Sequence, residues 1–158
     1  MLNIETGETN KILRTVCKPV TDFDDQLKKL VVDMEETMLE EDPKTEVKGV
    51  GLAAPQVGVD KRVILVTFNV NTRKDRRVVV MINPEAMDFS KRKVCLEEGC
   101  LSLPGEFDKV TRPSKVHVRW QNLEGHWCEK KLAKWDARIF LHELDHLNGI
   151  LFTDYLRQ

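Results

Sequence analysis

Long apolar runs are missing from this chain: no stretch reaches the roughly 20 residues that a membrane-spanning helix requires. An excess of either charge is missing too. Lys and Arg total 25 against 26 Asp and Glu, a net charge of −1, so the average field gives no reason to expect nucleic acid or an anionic membrane as a partner. Cysteine is sparse, with Cys17, Cys95, Cys100 and Cys128 scattered rather than arranged as the disulfide framework of a small secreted domain. The start, MLNIETGETNK, places Glu5 and Glu8 where a secretory signal carries basic and then apolar residues. These absences predict a cytoplasmic protein with reduced thiols, in which a lone cysteine is free to act as a ligand or nucleophile. Internal repeats, low-complexity tracts and linker-like Gly/Ser/Pro stretches are absent as well, and 41% of the 158 residues are apolar. Residues 1–158 are therefore expected to form a single domain around one core.

What is present follows two periods. Leu27, Leu30, Val31, Met34 and Leu39 recur at helical spacing within Thr21 to Glu40, with Thr21 and Asp22 as candidate caps. Three β-branched segments follow, Arg62 to Phe68, Arg77 to Ile82 and Lys115 to Trp120, and these predict strands. The one noticeably basic run, Arg73 to Arg77, lies between the first two and predicts a solvated hairpin loop. Ala133 to Asn148 lacks Pro and Gly and is followed at once by Gly149, the pattern of a helix with a glycine stop. The order helix, strands, helix indicates an α+β fold, with small mixed or antiparallel sheets packed around the C-terminal helix.

That last helix carries His142-Glu143-Leu144-Asp145-His146. Residues four apart share a helix face, so His142 and His146 can direct their imidazoles at one metal ion. Glu143 is turned about 100° from His142, too far to be an obvious ligand but close enough to serve a metal-activated water as general base. Trp135 and Ile139 extend the histidine face toward the N-terminus, which predicts that the face points inward, although Arg138 lies beside them.

A catalytic site of the zinc type keeps three protein ligands and an open position. Cys100 is the best candidate for the third, because it stands in EEGCLSLP, where Gly99 permits a close approach and Pro104 ends the stretch. His117 and His126 compete, but the first alternates with valines on a predicted strand and the second follows Gly125 in a predicted turn. Cys17, Cys95 and Cys128 have no comparable surroundings. A third unusual stretch, GVGLAAPQ from Gly49 to Gln56, combines small residues that admit a close backbone with an amide that both donates and accepts.

Taken in order, GVGLAAPQ, EGCLS and HELDH resemble the three signature motifs of the peptide deformylases, and the similarity runs from near Ile12 to about Tyr155. The resemblance implies a hydrolase that removes the formyl group from the initiator methionine of nascent proteins. It assigns Cys100, His142 and His146 to one divalent ion, iron(II) or zinc, and Glu143 to acid/base catalysis. It further implies that Gln56 and the Leu101 backbone N–H stabilise the oxyanion, while Val50, Gly51 and Ile139 contact the substrate. Glu98 and Asp145 are candidates to orient ligands, with Arg112 as partner of Asp145.

Two departures from the family pattern stand out. Many members carry Gln directly before the first motif histidine, where this chain has Leu141. The chain ends twelve residues after His146, so ribosome docking through a long C-terminal helix is not expected. The competing readings are a metal-dependent peptidase, against which a cysteine ligand argues, and a formyl-peptide binder without turnover.

Overall fold

Asp24 accepts a hydrogen bond from the Leu27 N–H at 3.0 Å and starts helix α1, Asp25–Leu39. The expected caps Thr21 and Asp22 lie too early: a capping oxygen must sit just before the first turn to reach its free N–H groups, and Asp24 is the residue that does. In the computed structural model, which describes residues 1–40 and 48–157, Leu27, Val31, Met34 and Met38 form the buried stripe of this helix. The spacing of four, three and four residues is that of one helical face.

Among the described residues seven strands follow: β1 (Gly51–Ala53), β2 (Val63–Phe68), β3 (Arg77–Phe89), β4 (Lys93–Cys100), β5 (Leu103–Pro113), β6 (Lys115–Gln121) and β7 (Trp127–Ala133). Five make a sheet in the order β1-β2-β3-β6-β7, and β4 pairs with β5 alone; every pairing is antiparallel. The three strands expected from sequence are present, and β3 runs on to Phe89. Residues 69–76 connect β2 to β3, as the basic run predicted.

All six residues of β2 are buried, because helices cover both faces of the sheet. Ile64, Val66 and Phe68 point into a core shared with helix α2 (Lys134–Leu147), which contributes Ala137, Phe140, Leu141 and Leu147. Val63 and Leu65 point the other way, onto α1. The period of two along the strand thus serves two cores at once. Gly149 ends the α2 region with φ 73° and packs against the Arg14 carbonyl, a left-handed position where a side chain would be strained and would clash. A third cluster of Leu103, Val110, Leu151 and Phe152 fastens the β4–β5 hairpin to the chain that follows α2. The hairpin and α2 are thereby held face to face.

Candidate metal centre and active site

Helix α2 places His142 and His146 one turn apart, with ring centroids separated by 5.1 Å. Cys100, the last residue of β4, brings its Sγ to 3.3 Å from His146 Nε2. One ligand atom from each of the three residues lies within 4.8 Å of the others. Bonds of about 2.3 Å to sulfur and 2.0–2.1 Å to nitrogen, at tetrahedral angles, separate such ligand atoms by about 3.6 Å, so the spacing suits one shared ion. The donor set agrees, since thiolate and imidazole suit zinc and other late divalent metals. His117 and His126 do not join the cluster: the first sits 3.1 Å from Glu129, and the second is exposed beside Glu124.

Glu98 is the hub beneath the centre. Its carboxylate takes two bonds from Arg112 at 2.6 and 2.9 Å and one from Arg138 at 2.5 Å, and lies 2.8 Å from His142 Nδ1. The Nδ1 contact directs the other ring nitrogen of His142 away from Glu98, as a metal-binding imidazole requires. Burial pushes the Glu98 carboxyl up, but Arg112 and His142 outweigh it and hold it at about 2. Arg112 also bonds Asp145 at 2.9 Å, and the Tyr155 hydroxyl donates to Asp145 at 2.7 Å. The expected Arg112–Asp145 pair is therefore present; Glu98 contacts His142 directly, whereas Asp145 reaches the cluster through Arg112.

Burial disfavours a charge on His142, yet the bonds to Cys100 and Glu98 prevail and raise its pKa to about 10. The metal-free imidazole thus carries a proton that a metal ion has to displace. Metal uptake is expected to release protons and to tighten as pH rises from 6 toward 9; calorimetry in buffers of different ionisation enthalpy reads both. Uptake without proton release would contradict the assigned donor state.

Glu143 faces the same space from α2. It is 4% exposed, and its Oε2 has no hydrogen-bond partner among the described residues. Burial drives its carboxyl up to about 7, the range in which one group can take and return a proton. Gly51 explains how the carboxylate fits: a Cβ built there would lie 2.6 Å from Glu143 Oε1. Gln56 follows β1 on a single helical turn. Its Oε1 accepts from Ala53 N–H at 2.9 Å, while Nε2 donates to Ser102 Oγ at 3.1 Å and approaches Cys100 Sγ at 3.5 Å. The amide is locked with its donor toward the centre. Gln56, Cys100, Leu101, His142 and Glu143 line one cavity of about 640 Å³, and so do Val50, Gly51 and Ile139; His146 is buried behind them.

The family profile of polypeptide deformylase matches residues 1–158. The chain belongs to that family. Among curated deformylases it is similar to that of Acidobacterium capsulatum, at 44% identity over 141 residues covering 89% of this chain and 78% of the relative. The crystal structure of peptide deformylase from Thermotoga maritima superposes with a TM-score of 0.87 at 39% identity, covering 98% of this chain and 97% of that one. The actinonin-bound class I type b deformylase from Acinetobacter baumannii gives 0.85 at 39% identity, with the same coverage of both chains. As a deformylase this chain is a metal-dependent hydrolase, and its Cys-His-His cluster is a group able to hold one ion.

Some deformylase features escaped the sequence. Arg138 interrupts an otherwise apolar face, yet it is only 4% exposed, because Glu98 and the Val110 and Val94 carbonyls take its donors. Ser102 inside EGCLS steers Gln56, which its polar side chain between two leucines could have signalled. Phe107 lies over Gly99, where a Cβ would come within 2.5 Å of its ring, and with Trp135 it forms an aromatic rim to the cavity. Leu141, in the family's Gln position, is buried in the core between α2 and the sheet, so that site is filled by apolar packing.

Proposed function

We propose that this chain hydrolyses the N-formyl group of the initiator methionine on nascent proteins and releases formate, with Cys100, His142 and His146 as the ligands of one divalent ion. The observation that carries this reading is the convergence of the three donors on a cavity that also holds a buried carboxylate with a free oxygen, Glu143, and a locked amide donor, Gln56. A divalent ion held there supplies Lewis acidity and lowers the pKa of water for attack on the formyl carbon. Glu143 accepts the proton from the attacking water and returns it to the leaving amine. Gln56 Nε2 and the Leu101 N–H donate to the oxygen on which charge develops. Val50 and Ile139 give the methionine side chain apolar walls, and the free edge of β1 at Gly51 leaves backbone groups for the peptide. The cytoplasm, where formylated chains arise, is the compartment of this reaction.

Formate release from a formyl-Met tripeptide by anaerobically iron-loaded and by zinc-loaded protein tests the reading and ranks the two ions. Iron(II) and zinc both suit the donor set, and each is assayed against chelated protein. No formate from either form would sink the proposal, and cleavage of internal bonds in unformylated peptides would favour a peptidase. Gln56→Leu is expected to lower kcat by about 10²- to 10³-fold, the usual effect of removing one oxyanion donor, while leaving metal content intact. Metal analysis alongside single-turnover kinetics checks this.

A further inference from the structure

The basic run from Arg73 to Arg77 is the one sequence motif that this chemistry leaves without a role. In the fold it is a fixed prong between β2 and β3, exposed throughout residues 71–77. Thr72 N–H donates to the Asn69 carbonyl at 2.9 Å, and Asn69 Nδ2 donates to the Asp75 carbonyl at 3.1 Å. The Asn69 N–H bonds Asp136, in the first turn of α2, at 3.0 Å. Val70 and Trp135 line the substrate cavity, so the prong rises at its rim.

The prong is not the only source of positive charge there. The Arg77 guanidinium carbon lies 5.6 Å and the Lys130 ammonium 4.9 Å from the centroid of the Phe68 ring, which gathers two cations from different strands at one end of the sheet. Lys134, exposed, opens α2 two residues before the Asp136 that bonds Asn69. Arg73, Lys74, Arg76, Arg77, Lys130 and Lys134 form no ion pair among the described residues. Asp75 is the only acid within the prong itself. The net charge of −1 averages this concentration away, which is why the composition gave no sign of an anionic partner.

The residues around the cations select the kind of anion. Residues 71–76 contain no aliphatic or aromatic side chain, so the tip has nothing to insert into a bilayer and no anchor for a protein pocket. Arginine and lysine beside Asn71 and Thr72 are the side chains that bond phosphodiester oxygens. We infer that the β2–β3 prong, with Lys130 and Lys134, is a docking surface for the phosphate backbone of RNA beside the mouth of the substrate cavity. The inference rests on the deformylase reading in one respect: nascent substrates arrive on an RNA-rich particle. A phosphate grip at the cavity rim raises the local concentration of their formylated ends.

Each neutralised phosphate contributes about 0.7–0.9 to the slope of log affinity against log salt, so six cations predict a slope of about −4 to −5. The test measures binding of the full chain to a short RNA duplex between roughly 50 and 200 mM salt. The variant Arg73→Gln/Lys74→Gln/Arg76→Gln is compared with a charge-matched control, Lys18→Gln/Lys28→Gln/Lys29→Gln. The control residues lie away from the prong: Lys28 and Lys29 are on α1, across β2 from α2, and the Lys18 carbonyl accepts from the Arg62 N–H at the opposite end of β2 from Asn69. The prong variant is expected to bind at least about tenfold more weakly at low salt, with a slope shallower by about two to three, while the control stays within about twofold. All three proteins are expected to release formate from a free formyl-Met tripeptide at the same rate. Equal losses in both variants, no binding by the wild type at low salt, or wild-type preference for phosphatidylglycerol vesicles or polyglutamate over RNA would overturn the inference. Failure of the wild type to release formate would instead remove the catalytic reading, while the RNA titration still reports on the surface.

Discussion

Replacing Glu143 by Gln is expected to lower kcat/KM on formyl-Met peptides by about 10²- to 10⁴-fold, the span attributed to a positioned acid/base group. The carboxylate is buried beside the three ligand candidates and has an oxygen without a partner, so it is placed to handle protons rather than to hold structure. Metal content and peptide affinity should therefore persist in the variant, and a binder without turnover would show no rate to lose. The same burial has a consequence for stability. Burial raises the folded pKa from 4.5 to about 7, so the folded state binds this proton more tightly than the unfolded state does. In metal-free protein the Glu143 contribution is fully favourable below about pH 4.5 and is lost as pH rises through 7. Thermal unfolding of chelated protein from pH 5 to 8 should show this decline, and E143Q should flatten it; an unchanged slope would remove Glu143 as its source.

Glu98→Ala is expected to cost about 3–5 kcal/mol of stability, the usual price of leaving buried charge uncompensated. Arg112 and Arg138 are each about 4% exposed; both pair with this carboxylate, and without it Arg112 keeps only Asp145 while Arg138 keeps no acidic partner among the described residues. His142 loses its Nδ1 partner in the same step, which is expected to weaken metal binding by about 10- to 100-fold. Arg138→Met should destabilise less, since Glu98 retains Arg112 and His142. Denaturant unfolding with competitive metal titration separates the two effects. Full metal affinity in Glu98→Ala would show that the ligands are positioned without this residue. The pH dependence has the opposite sign to that of Glu143: the Glu98 pKa is depressed to about 2, so its contribution is present above 4.5 and disappears as pH falls through 2.

Local pattern made the chemistry more legible than the sheets. His142, Glu143 and His146 sit on a helix whose period and glycine stop are written within sixteen residues, and Cys100 and Gln56 stand in unusual settings of their own. Strands β4, β5 and β7 left little trace. Most of their positions are exposed, as in Lys93 to Glu97 and Glu129 to Lys131, so no alternation of apolar and polar residues marks them. Strand β1 is three residues of a small-residue motif that reads equally well as a turn. Arg138 was illegible for a different reason: its partner Glu98 lies 40 positions away on the β4–β5 hairpin, and no local pattern reports such a pairing.

Cys100 belongs to the two-stranded hairpin, whereas His146 belongs to the helix laid on the five-stranded sheet, 46 positions further along. An ion held by this cluster would therefore act as a reversible crosslink between two separately hydrogen-bonded modules. It would close a long loop of chain, and much of that closure entropy is already spent on the Glu98 ion pairs and the Leu103–Phe152 cluster. Demetallation should loosen the Cys100 end of the hairpin without unzipping either ladder, which makes the cavity, rather than the core, the softest seam of the apoprotein.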